Sequence, residues 1–157
     1  MDIKFFKEDL KFKLRVSGIV IDDNKVLVEE YKDDTYCLPG GYVGFNETTD
    51  DAIKREMFEE TKLKFEIIGF CGVIENFFTN KKKERTHEID FYYYLNGSNI
   101  YENLDNQITE KGSYGDIYHN FKWVNINELN DYKLLPNEIK QVIINGEHNI
   151  HLIIRDN

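Results

Sequence analysis

Apolar residues fall at every second position along much of this chain, and a period of two predicts strands. The β-branched run Phe12–Ile21 ends at the turn triplet Asp22-Asp23-Asn24, and the alternation resumes over Lys25–Tyr31, so the pair predicts a hairpin. Lys64–Phe78 alternates well enough for one bent strand or two. A charged connection, Asn80–Thr86, leads into a strong strand over His87–Leu95, and its lysines read as a solvated hairpin tip. Phe121–Asn125 looks like a last core strand, and residues 149–156 either add an edge strand or pack loosely. Between them Asn96–Asn120 is polar, Gly-spotted and without period, which predicts a long loop carrying a short element.

Two segments depart from the strand period. Pro136–His148 sets Ile139, Val142 and Ile143 on one helical face, with Gly146 placed as a C-terminal stop. Thr48-Thr49-Asp50-Asp51 opens the other: the Thr48 hydroxyl accepts from a free backbone N–H, and both Asp residues favour the positive helix end. That helix runs to about Glu60, with Ala52, Ile53 and Met57 as its apolar stripe.

Composition narrows what such an α/β chain does. At 157 residues it fits one domain, 1–157, with a core that needs no disulfides. A formal net charge of −9 argues against a long nucleic acid or an anionic membrane as partner. A phosphate-bearing small molecule is compatible only if a cation screens the repulsion. Cys37 and Cys71 match no zinc or redox spacing and read as buried free thiols in a reducing compartment. The N-terminus lacks a signal-peptide core and no apolar stretch is long enough to span a bilayer, so a cytoplasmic protein is expected.

The candidate chemistry lies in the acidic helix. At about 100° per residue, Glu56 and Glu60 are nearly in register and Glu59 is about 60° away, so three carboxylates share one face beside Arg55. Like charges so placed destabilise a helix by a few tenths of a kcal/mol each. A divalent cation reverses that penalty. Oxygen ligands without Cys or His in this cluster point to Mg²⁺ or Mn²⁺.

Gly41, Glu47 and the run Arg55-Glu56-Met57-Phe58-Glu59-Glu60-Thr61, with Leu63 beyond it, resemble the Nudix box of the Nudix hydrolases. Cys37-Leu38-Pro39-Gly40-Gly41 resembles the family's approach to the box, and Phe121–Val124 followed by Asn127-Glu128-Leu129 its late strand and helix start. Lys62 stands where the family has glycine, a position that wants positive φ, at a strain of roughly 1 kcal/mol. Asn46 replaces a frequent glycine before Glu47.

The resemblance implies an α/β/α sandwich around a mixed sheet, and Mg²⁺- or Mn²⁺-dependent hydrolysis of a diphosphate in a nucleoside diphosphate derivative. Glu56, Glu59, Glu60 and the Gly40 carbonyl would hold the metal, while Glu47 and Arg55 form a structural ion pair. The general base is open between a box glutamate such as Glu59 and an outside acid, Glu88 or, second, Glu75. His87 reads as a packed or surface histidine rather than a catalytic one. Tyr42 and Phe77 are the favoured aromatics for substrate binding, ahead of Phe45, Phe78, Tyr114 and Tyr118. A homodimer is left open, as is the substrate. The alternative from another class is a Nudix-fold module that binds a nucleotide without cleaving it.

Overall fold

The computed structural model describes residues 1–98, 100 and 102–156. Strands β1 (Lys4–Lys7), β2 (Leu10–Asp22), β3 (Lys25–Glu30), β4 (Tyr36–Cys37) and β5 (Gly40–Tyr42) precede helix α1 (Thr49–Thr61). Strands β6 (Ile67–Thr79), β7 (Arg85–Asn96), β8 (Gln107–Gly112) and β9 (Gly115–Asn125) follow. A 3-10 turn (Ile126–Asp131), β10 (Leu134–Leu135), α2 (Ile139–Asn145) and β11 (Ile150–Arg155) close the chain.

The sheet is mixed. Its centre is the parallel pairing of β2 with β7, in register from Leu10 opposite Arg85 to Ile21 opposite Asn96. β6 runs antiparallel to β7, and β11 adds in parallel on its far side. Lys64–Phe78 thus yields one strand, β6, bent by register shifts near Gly69 and Gly72.

Because successive side chains alternate between faces, this sheet builds two cores. On one face Val16, Val20, Leu27, Tyr93 and Leu95 pack against Ala52, Ile53 and Met57 of α1. On the other Ile19, Val26, Val28, Tyr92 and Tyr94 pack against Ile139, Val142 and Ile143 of α2. The outcome is the expected α/β/α sandwich. Gly18 lets α1 sit close, since a Cβ there would meet Leu95 Cδ1 at 2.7 Å and Met57 Sδ at 3.2 Å.

Two features position the site. β2 and β3 pair only beside their turn, at Ile21–Val26 and Asp22–Lys25. Farther on β3 pairs with β4 while β2 pairs with β5, so the segment Tyr36–Tyr42 is wedged where the two strands diverge. A Cβ on Gly40 would lie 2.1 Å from the Val16 carbonyl oxygen, so only glycine allows so close an approach.

The second feature corrects the sequence reading. Asn96–Asn120 is not mainly loop: it contains β8 and β9, an antiparallel hairpin whose β9 pairs onto β3. Asn99 and Tyr101 of that stretch lie outside the described residues. Over the part of the hairpin before Phe121, Ile108 and His119 are buried, Glu110 and Gly112 half-buried and the other strand positions exposed, so it lacks the apolar alternation that marks a half-buried strand.

Candidate active site

Helix α1 presents the acidic cluster because both its ends are pinned. At the N-terminus the Thr48 hydroxyl accepts from the Asp51 N–H at 3.1 Å, and Tyr93 Oη donates to Asp50 Oδ1 at 2.6 Å. At the C-terminus Lys62 adopts φ 62°, the left-handed cap expected at this position, and its N–H donates to the Phe58 carbonyl at 2.8 Å. Burial of Ala52, Ile53 and Met57 then fixes the roll of the helix, turning Arg55 and Glu56 toward the loop after β5.

Arg55 is the hub of that contact. Its Nε and Nη2 donate to the two oxygens of Glu47 at 2.7 and 2.9 Å, the bidentate geometry a guanidinium favours. Nη1 donates to Glu56 at 2.7 Å and Glu59 at 3.3 Å, and Nη2 also reaches the Tyr42 carbonyl at 2.9 Å. Glu47 further accepts from the Gly44 N–H at 2.7 Å. The Arg55 hydrogen bonds hold the Glu47 carboxyl below its usual range. Gly41 is needed for the same assembly, because a Cβ there would fall 2.2 Å from Glu56 Oε2.

Glu60 points elsewhere. It is buried, with one oxygen accepting from the Gly40 N–H at 3.3 Å. Across from it stand Glu29 of β3 and His119 of β9, both buried, with donor atoms of the three residues all within 4.8 Å of one another. His119 Nδ1 lies 2.6 Å from Glu29 Oε1, and Nε2 lies 2.9 Å from Glu110 Oε2 of β8. Burial pushes the Glu60 carboxyl well above its usual range, and the Glu29 charge adds to this. Burial raises Glu56 too, against the pull of Arg55, with Glu59 and Glu110 contributing. Burial by itself would lower His119, yet the hydrogen bonds to Glu29 and Glu110 raise it to about 9. The helix carboxylates therefore meet an imidazole that the acidic stretch does not contain. Glu29 and His119 share a face with Leu27 and Phe121, and this phase is the one trace they leave in the sequence.

Glu88 occupies the other side of the wedge, on the α2 face of β7. It is buried, 3.4 Å from Lys13 Nζ, and it lines a cavity of about 480 Å³ with Lys13, Arg15, Cys37, Phe78 and Asn137. Asp90, one step along that face, accepts from Ser17 Oγ at 2.8 Å, and burial raises its carboxyl to about 7. Its second oxygen and the Arg15 Nε are buried without a hydrogen-bond partner. Tyr42 is flanked by cations, Lys4 Nζ at 4.4 Å and Arg15 at 5.8 Å from its ring. Phe77 is stacked between His87 at 4.3 Å and Arg155 at 4.2 Å, while its neighbour Phe78 faces the cavity. Glu75 binds His151 Nε2 at 2.7 Å, and Phe45, Tyr114 and Tyr118 are exposed. Cys37 and Cys71 are free thiols. No helix among the described residues is long and apolar enough to cross a membrane.

The NUDIX domain model matches residues 11–144. An ADP-ribose pyrophosphatase of Methanocaldococcus jannaschii is 32% identical over 98 residues, which covers 60% of this chain and 56% of the relative. A MutT-like protein of Streptomyces ambofaciens is 35% identical over 63 residues, or 39% of this chain and 41% of the relative. The chain thus spans about half the length of the curated relatives it matches. Among solved structures, the mutator MutT protein from Bacillus halodurans superposes with a TM-score of 0.70 at 16% identity, over 91% of this chain and 89% of that one.

Proposed function

Since the chain belongs to the NUDIX family, matched over residues 11–144, we propose that it is a divalent-metal-dependent pyrophosphohydrolase acting on a nucleoside diphosphate derivative. The observation that carries this reading is the Arg55-centred fork, which gathers Glu47, Glu56 and Glu59 at 2.7–3.3 Å while Glu60 stands buried behind them. The donor set suits a hard dication: all are oxygens, and the Glu56 and Glu60 carboxyls, raised first by burial and further by neighbouring acids, are groups whose charged form a cation stabilises. Glu56, Glu59, Glu60 and the Gly40 carbonyl would hold Mg²⁺ or Mn²⁺. When bound, such an ion neutralises pyrophosphate oxygens and acidifies water.

The chain's own groups supply the rest. Arg55 keeps the carboxylates at fixed spacing, and Glu47 ties the loop after β5 to the helix. Glu59, the more exposed box acid, accepts the proton of the attacking water. Glu88 belongs with Lys13, Arg15 and Phe78 in the cavity across the wedge, where cations and one aromatic ring fit a phosphorylated nucleoside. Tyr42 borders that region through its carbonyl contact to Arg55 and its place beside Arg15. Phe77 shapes the strand that carries Phe78. The free thiols fit a reducing, cytoplasmic setting.

The test is a panel of nucleoside diphosphate derivatives with Mg²⁺ and Mn²⁺, with ADP-ribose first because the M. jannaschii relative bears that name. Glu59→Gln is expected to lower kcat by roughly 10²–10⁴ with the unfolding midpoint unchanged. Near wild-type turnover in that variant would overturn the assignment. Tight binding without any released product would favour the non-hydrolysing alternative.

A further inference from the structure

We propose that Glu29, Glu60 and His119 form a metal position of their own beneath the exposed box carboxylates, one that selects a transition ion such as Mn²⁺, Co²⁺ or Zn²⁺ over Mg²⁺ through an imidazole nitrogen. This deepens the proposed function and rests on it only through Glu60.

Three observations carry it. The donor atoms lie within 4.8 Å of one another, slightly wider than the ~4 Å that two metal bonds of about 2.0–2.2 Å span, so small rotamer shifts close the site. The residues are 6%, 6% and 5% exposed, and they come from β3, α1 and β9, so rigid elements hold each donor in place. Glu60 uses one oxygen for the long contact to Gly40, and its other oxygen has no hydrogen-bond partner among the described residues. That oxygen is free to accept a ligand.

The imidazole decides which ion. Mg²⁺ takes oxygen ligands and keeps much of its water, whereas nitrogen donors raise affinity toward Co²⁺ and Zn²⁺. Glu110 completes the arrangement: at 2.9 Å from Nε2 it accepts that N–H and leaves Nδ1, on the Glu29 side, as the ligating atom. Metal entry replaces the hydrogen between Nδ1 and Glu29, which leaves as a proton. Glu29 and His119 lie outside the acidic helix, so a chain carrying the same box without them would lack this preference.

The experiment reads the metal directly. Full-length protein is stripped with chelator, loaded with one equivalent of Mn²⁺ and examined by electron spin-echo envelope modulation for nitrogen coupling. The wild type is expected to show imidazole coupling, lost in His119→Gln and retained in His151→Gln. Competition with a chromophoric chelator is expected to show Co²⁺ and Zn²⁺ affinity falling by about tenfold or more in His119→Gln, since even the outer partners of a ligand are worth that much. Mg²⁺ affinity stays nearly constant. Absence of nitrogen coupling in the wild type overturns the proposal whether or not His119→Gln folds. Hydrolysis with Mg²⁺ but no coupling would remove this site and keep the proposed function; coupling without hydrolysis would do the reverse.

Discussion

Replacing Arg55 with alanine tests whether the fork organises the site. The side chain donates four hydrogen bonds to carboxylates at 2.7–3.3 Å and one to a carbonyl at 2.9 Å. Bonds to charged groups contribute about 1.5–3 kcal/mol each when buried, but they share one guanidinium and do not add. With 35% of the side chain exposed, solvent screens part of the rest. Loss of Arg55 also leaves Glu47, Glu56 and Glu59 facing one another. The expected destabilisation is about 3 kcal/mol, or roughly 6–12 °C in Tm for a domain of this size. Urea unfolding in EDTA measures it free of any metal. Arg55→Lys keeps the charge, loses the fork, and should recover less than half. The deficit should shrink in acid, because the depressed Glu47 carboxyl stabilises the fold above its unfolded pKa and that contribution is lost as pH falls through about 4 and below. A deficit under 1 kcal/mol, or one independent of pH, would refute the reasoning.

Gly41→Ala sets a methyl group on the Glu56 carboxylate, so metal affinity measured by calorimetry should drop about tenfold while the circular dichroism spectrum is retained. Lys62→Gly relieves a left-handed lysine and should stabilise by about 0.5–1 kcal/mol in urea melts, net of glycine's greater freedom when unfolded. His119 gives a pH signature in EDTA. Its pKa is raised to about 9, so its contribution is full below about pH 6.5 and lost as pH rises through 9, some 3 kcal/mol in all. The raised carboxyls of Glu56 and Glu60 slope the same way. In His119→Gln the fall between pH 6.5 and 9 should flatten, and an unchanged profile would place the proton elsewhere.

The helix and its acids were legible because their signals are local. Thr48 caps where its hydroxyl can reach Asp51, Lys62 takes the positive φ that the pattern demands, and three carboxylates follow from helical spacing alone. Arg55 and Glu47, eight residues apart, meet because a loop and one helix turn bring them together. What sequence does not display is the pairing of distant strands. Glu29 looks like any strand-end acid until β9 lays His119 beside it, ninety positions along the chain. The β8–β9 hairpin stayed hidden because an outlying strand with two solvated faces has no apolar rhythm. Phe77 and Phe78 fall on opposite faces of the pleat, one stacked on His87 and the other lining the cavity, a difference that pairing rather than local sequence sets.

That hairpin has a consequence for how the site can be altered. Among the described residues β8 is joined to the sheet through β9 alone, yet it delivers Glu110 to His119, and β9 brings His119 beside Glu60 of a helix encoded about a third of the chain earlier. The two sets of side chains therefore arrive from two separate pieces of the chain. Grafting this hairpin alone would carry the imidazole and its carboxylate partner as a unit and leave the helix untouched.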